Sequence, residues 1–348
     1  MPAQWQHTDG GPGRTVHIAG KEYLYCSGTS YLGVNQHETF KALVQEGIDR
    51  YGVNFGGSRR SNLRFDLFSK AEDLFCKWTG APASLLFSSG TLAGQILHRI
   101  MSSLGLVLYA PGTHPALWGA KVLPMLDFEA WILQLQSQLQ QREETCVIFA
   151  NSIDPLKSRA YDFSWVAEIP AGPPVYIVID DSHGFGVTGS DGMGVYKGLM
   201  TPPWVKRVVL ASLGKAFSLP AGIILGEKEI VDQCWDSPFF GGASPLPPAY
   251  LYALLEAPLL WRKQLEILRA RIDDFDQSIS AFPYLQHLEG YPVYYCVENE
   301  LAMQLWEKGI MISSFPYPGP NDPLVTRIVL NALHQRMDIE RLVEAMKG

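Results

Sequence analysis

Lys215 stands in RVVLASLGKAFSLPAG, directly after an apolar run and in a turn of small residues. A lysine that is to bond a carbonyl carbon must shed its proton easily, and partial burial lowers its pKa in that direction. Upstream, VYIVIDDSHGFG runs an apolar stretch straight into Asp180, Asp181 and His183, and charge so near a core is costly unless something pairs with it. Each residue has a structural alternative when taken singly: Asp180 or Asp181 capping the next helix, His183 satisfying a loop carbonyl, Lys215 solvated in its loop. Taken together, an aspartate for a pyridine nitrogen and a lysine for an aldehyde are what pyridoxal 5′-phosphate asks of a protein. That cofactor also needs a phosphate cradle. FSSGTLAGQ supplies an apolar run, then Ser89, Gly90 and Thr91, then a helix start whose backbone N–H groups favour anions.

These residues are useful only if an architecture brings them together. From residue 84 onward the chain shows the short apolar runs SLLFSS, GLVLYA, CVIFAN, VYIVID, RVVLAS and AGIILG, each bounded by Gly, Pro or polar residues. Such runs read as buried parallel strands joined by crossovers, an α/β sheet. Ligands gather at the carboxyl ends of such strands, which here are Ser89-Gly90-Thr91, His114, Asn151-Ser152, Asp180 to His183 and Ser212 to Lys215. After about residue 250 the pattern changes. LYALLEAPLLWRKQLEILRARIDDFDQSI predicts one long helical stretch, YPVYYCV and VTRIVLNAL predict strands of a separate sheet, and SSFPYPGPNDP predicts a loop and candidate lid. Ile339, Leu342, Val343 and Met346 predict a closing amphipathic helix. The expected organisation is an N-terminal arm or small-domain segment (1–40), a large cofactor-binding α/β domain (41–245) and a small C-terminal α+β domain (246–348).

With 348 residues, 47% hydrophobic and 18% charged, the chain is of ordinary globular composition and long enough to bury a cofactor. The formal net charge of −7 argues against a nucleic-acid surface; the densest basic cluster is only Arg59, Arg60 and Arg64. Five cysteines without a C-x-x-C pair suggest reduced thiols rather than zinc or redox work. The polar N-terminus and the lack of a long apolar run lead us to expect a cytoplasmic protein without a membrane span.

The order of these pieces resembles the α-oxoamine synthases, fold-type-I pyridoxal-phosphate enzymes, over nearly the whole chain. IDDSHGFGVTGSDGMGV is similar to that family's D-[DE]-A-H-G-x-G-x-x-G-x-x-G-x-G signature, and SLGKAF to its T-x-G-K-[AG]-F lysine motif. YLGVNQHETFKALVQEGIDRYGVNFGGSRRSN, GASPLPP and the closing TRIVLNALHQRMDIERLVEAM match further family segments. The resemblance implies the fold-type-I architecture, a large mostly parallel-sheet domain with a smaller C-terminal α+β domain. It implies that Lys215 bonds the cofactor and then moves the substrate's α-proton, that Asp180 pairs with the ring nitrogen, and that His183 bonds the ring's 3-oxygen. His114 would stack on the ring, with a helix-cap or surface histidine as its alternative. Ser89, Gly90, Thr91, Ser152 and Ser212 would complete the cofactor site, with Ser244 reaching the phosphate of a second subunit in a homodimer. Arg327 would clamp the substrate carboxylate, with a strand-edge surface arginine as its alternative. The implied reaction condenses an amino acid, alanine favoured, with an acyl-coenzyme A and releases carbon dioxide to give an aminoketone. The chain departs from the family pattern at Thr29-Ser30, at Leu63 and Phe68, and at Ile148, where a glutamate is usual.

Other readings compete. Gly184, Gly186 and Gly189 spell G-x-G-x-x-G after a strand, but Asp180 and Asp181 would face the pyrophosphate, and the segment beyond Gly189, SDGMGVYKG, is too Gly-rich to open a helix. Asp180, Asp181 and His183 lack a second cluster to complete a metal site. No G-x-S-x-G elbow serves a hydrolase. An aminotransferase, an aldolase-type lyase, and a homologue that binds cofactor without turnover all use the same scaffold.

Overall fold

The six apolar runs meet in one sheet, in the order Ala83–Phe87, Gly222–Gly226, Val205–Ser212, Val175–Asp180, Cys146–Asn151 and Leu106–Tyr109. The computed structural model describes residues 6–119, 127–154, 156–317 and 319–347. Alternate side chains of each strand go to opposite faces. Ile148, Ile177, Ile179 and Val209 join one core cluster and Val147, Phe149, Val178 and Val208 another. Both faces are therefore covered, which is why these strands are apolar without interruption.

Pairing is parallel across the Leu106–Tyr109, Cys146–Asn151, Val175–Asp180 and Val205–Ser212 strands. The expectation of parallel strands fails at Gly222–Gly226, which is antiparallel to both neighbours. The connection from Val205–Ser212 to this strand spans only residues 213–221, too short for a parallel crossover, which takes about a dozen residues or more. That short return carries Lys215.

A second six-stranded sheet runs Thr15–Ile18, Lys21–Cys26, Ile310–Pro316, Leu324–Val329, Val293–Cys296, Leu285–His287. The N-terminal hairpin joins it through parallel pairing of Leu24 with Ile310. The single helix expected over 251–279 is two helices, Pro248–Glu256 and Leu260–Asp276. Pro258 lies between them, lacking an N–H and crowding the preceding turn. The 313–323 loop is also shorter than expected: Ser313–Pro316 extends a strand that pairs with Leu324–Arg327. The closing helix, Arg336–Met346, buries Ile339, Leu342, Val343 and Met346 as predicted.

Candidate active site

The carboxyl ends of the central strands open on a cavity of about 360 Å³. One wall is the start of the helix Gly90–Met101, where the Ser89 hydroxyl accepts the Leu92 N–H at 3.1 Å. The first N–H groups of a helix have no partner within it, so those of Gly90 and Thr91 are available to an anion at the cavity they line. A Cβ on Gly90 would lie 2.8 Å from the Ser212 Cβ, and one on Gly222 would collide with the Ser89 carbonyl. Both glycines therefore let the helix start close against the strand ends. Sequence alone gives Gly222 no role, since a glycine opening a strand is a weak signal.

Lys215 reaches the cavity from its short return, which is fastened by Leu213 N–H to Ala221 O at 2.9 Å and Leu219 N–H to Leu213 O at 2.9 Å. Part of its surface opens on the cavity, yet the surroundings are dry. Burial lowers its pKa from 10.5 to about 8; Asp180 opposes that shift and Arg327 adds to it. Asp180 lines the same cavity. Its Oδ1 accepts the Ser182 N–H at 2.9 Å, while Oδ2 accepts no hydrogen bond from the described residues.

His114 Nδ1 accepts the Ala116 N–H at 3.1 Å, capping the turn Pro115–Leu117, and lies 3.7 Å from Asp180 Oδ2. A nitrogen accepting an N–H carries no proton, and burial depresses the ring's basicity although Asp180 opposes it. The contact is thus a neutral imidazole beside a carboxylate, not an ion pair. Asn151 holds His114 in place: its Oδ1 accepts the His114 N–H at 3.0 Å and its Nδ2 donates to Gly112 O at 2.6 Å. His183 lies in an adjoining recess with Asn151, Ile153 and Lys215. Its Nδ1 is 2.9 Å from the Tyr31 hydroxyl. Burial first, then the charges of Lys215 and Arg327 and the ring of His114, hold its pKa well below the ordinary value.

Arg327 enters from the second sheet, on the strand Leu324–Val329. It is buried, its guanidinium 5.7 Å from the Phe315 ring centre, and its charge is felt at both Lys215 and His183. One of the expected cofactor residues lies elsewhere. Ser152 does not face the cavity: strand alternation turns Asn151 inward, and the buried Ser152 hydroxyl donates to Asp181 Oδ1 at 2.5 Å. Ser244 is exposed and does not line its own chain's cavity. Ser182 has no role that its sequence neighbours announce, yet its hydroxyl accepts the Ser212 N–H at 2.8 Å and so ties two strand ends together. Among the departing positions, Ile148 is fully buried inside the sheet and Leu63 is exposed.

Asp181 explains two glycines of the glycine-rich signature, Gly184 and Gly194. Its carboxyl is fully buried, pushed up to about 7 mainly by that burial, and accepts from Ser152 and from Val195 N–H at 2.9 Å. A Cβ on Gly184 or Gly194 would collide with its oxygens. Gly184 and Gly194 thus close around a carboxylate, a poor neighbour for the pyrophosphate of a dinucleotide.

The model of the aminotransferase class I and II family matches residues 26–346. This chain belongs to the aminotransferase class I and II family. As a member, it is similar to the 8-amino-7-oxononanoate synthase of Aeromonas salmonicida (strain A449), 26% identical over 362 residues covering 97% of this chain and 89% of the relative. It is 27% identical over 366 residues to that of Klebsiella pneumoniae (strain 342), covering 97% and 92%. Its fold is shared with a serine palmitoyltransferase from S. paucimobilis (TM-score 0.83, 15% identity, 99% and 91% covered). It is also shared with the 8-amino-7-oxononanoate synthase of Francisella tularensis (TM-score 0.71, 21% identity, 93% and 96% covered). The fold is thus the fold-type-I architecture expected from the sequence. Pyridoxal 5′-phosphate is the cofactor of this family, and the site fits it. A helix start suits the phosphate, Asp180 Oδ2 is open to a ring nitrogen, Lys215 suits the aldehyde, and His183 keeps one ring nitrogen without a protein partner among the described residues.

Proposed function

We propose that this protein is a pyridoxal-phosphate-dependent α-oxoamine synthase. It joins an amino acid, alanine favoured, to an acyl-coenzyme A with loss of carbon dioxide and gives an aminoketone, as in 8-amino-7-oxononanoate synthase and hence in biotin synthesis. The observation that carries the proposal is the convergence of Lys215, Asp180 and His114 on one cavity, with Arg327 arriving from the other sheet. When bound, pyridoxal phosphate supplies an electron sink for the pair left when a bond to the amino acid's α-carbon breaks.

The chain's residues have distinct tasks around that sink. Gly90, Thr91, Ser89 and Ser212 would cradle the phosphate, and Asp180 would keep a proton on the ring nitrogen. His114 would pack on the ring face and His183 would bond the 3-oxygen. Lys215, with a pKa near 8, is neutral in an appreciable fraction of molecules at neutral pH and takes the α-proton. Arg327 pairs with the substrate carboxylate and fixes which bond to the α-carbon is presented to Lys215. Ser244, exposed on its own chain, reaches the phosphate of a second copy in a homodimer, and the enzyme works in the cytoplasm. Transamination is the second reading, favoured by the breadth of the matching family model.

Titrating the cofactor-loaded protein with alanine, glycine, serine and threonine while following visible absorbance, then adding acyl-coenzyme A, tests the assignment. Saturable spectral change followed by free coenzyme A is the expected result. Conversion of the amino acid to its oxo acid without thiol release would favour the second reading instead.

A further inference from the structure

Tyr31 and Tyr291 are fully buried, 1% and 0% exposed. Their hydroxyls are 3.2 Å apart, and that of Tyr31 also lies 2.9 Å from His183 Nδ1. Three proton orders satisfy these distances. In one, Tyr291 donates to Tyr31 and Tyr31 donates to His183 Nδ1, so each donor has an acceptor. In the second, His183 Nδ1–H donates to Tyr31 and Tyr31 to Tyr291, which leaves the buried Tyr291 proton with no acceptor among the described residues; in the third, His183 Nδ1–H and Tyr291 both donate to Tyr31, which leaves the buried Tyr31 proton with none among them. An unsatisfied buried donor is disfavoured by on the order of tenfold or more.

We infer that Tyr31 and Tyr291 form a positioning relay that holds His183 as the Nε2–H tautomer, with that proton directed at the cofactor's 3-oxygen. The inference deepens the proposed function and rests on its placement of pyridoxal phosphate beside His183. The groups around His183 agree with it: Lys215, Arg327 and His114 disfavour an imidazolium, leaving a neutral ring whose tautomer must be chosen. The relay also joins three parts of the chain. Tyr31 belongs to the N-terminal segment, its carbonyl accepting the Ala332 N–H at 2.9 Å; Tyr291 precedes the strand Val293–Cys296 of the second sheet; His183 follows the strand Val175–Asp180.

Nitrogen NMR of the cofactor-free protein, with His183 assigned by the signal lost in His183→Gln, reads the tautomer directly. A proton on Nε2 is expected, and one on Nδ1 would overturn the inference whether or not the tyrosine variants fold. In the cofactor-loaded protein, Tyr31→Phe is expected to raise by about one unit the pH at which the visible cofactor band changes form, because a weaker donor stabilises the charged 3-oxygen less. Tyr291→Phe should move it less in the same direction, and the double variant no further than Tyr31→Phe, since Tyr291 acts only through Tyr31. An unmoved midpoint in Tyr31→Phe, or an additive double variant, sinks the relay. A parent protein with no visible band sinks the functional reading alone, because the tautomer is measured without cofactor.

Discussion

His183 with Asp180 at the strand ends of the first sheet, and His334 with Asp338 beside the second, are built from the same residue types; Asp180, His334 and Asp338 are buried and His183 is half-buried. Both histidines are pushed to the neutral form by burial, His334 down to about 4. The difference lies in what their atoms touch. His334 Nδ1 accepts the Asn331 N–H at 3.2 Å and its Nε2 is 3.0 Å from Tyr25 O, while Asp338 takes a bidentate pair from Arg14 at 2.7 and 2.8 Å and caps the last helix. Each polar atom there is used by the fold. At the first sheet, Asp180 Oδ2 and one nitrogen of His183 have no hydrogen-bond partner among the described residues, and both residues line a cavity. A shifted ionisation therefore does not by itself mark chemistry; an unspent hydrogen-bonding atom on a cavity wall does.

The comparison can be broken from either side. The largest effect is expected for Lys215→Ala, which should cut turnover by at least about a thousandfold and abolish the visible cofactor band while the protein still folds. Residual turnover close to the parent's would remove Lys215 from the chemistry. A smaller effect concerns stability against pH. Between about pH 8 and the ordinary lysine range the unfolded chain holds a proton that folded Lys215 has released, so the cofactor-free protein gains stability as pH rises through that window. The gain is about 3 kcal/mol at most. Denaturant titrations across pH 7–11, parent against Lys215→Met, isolate it as a difference; parallel curves would mean the lysine is not desolvated. The smallest effect is expected at the second sheet. Asp338→Ala should cost about 2 kcal/mol of stability through the lost Arg14 pair and helix cap, with turnover at a permissive temperature unchanged. A fall in turnover without a fall in melting temperature would put Asp338 in the wrong half of the comparison.

Much of the site could be read before the fold. Lys215, Asp180, His114 and the Ser89-Gly90-Thr91 start each follow an apolar run, and an α/β sheet brings such ends to one edge; the structure does bring them to one cavity. Pairing direction was less legible. Gly222–Gly226 is as apolar as the four strands that pair in parallel with one another, and only the shortness of the 213–221 return makes it antiparallel to Val205–Ser212. Ser152 shows the same limit at the scale of one residue, because which of two adjacent side chains faces a cavity depends on strand pleat and not on residue type.

Local order along the chain determined the elements, the lysine's place after its strand, and the glycines where no Cβ fits, because these depend on neighbours a few residues apart. Tertiary structure alone decided what lies beside what: Arg327 carried from the second sheet to the charge of Lys215, Tyr31 set against His183, and Ser182 tied to Ser212. The reason is physical. Hydrogen bonds and desolvation act over a few ångströms of space, and spacing along a chain does not record distances between residues that only folding brings together.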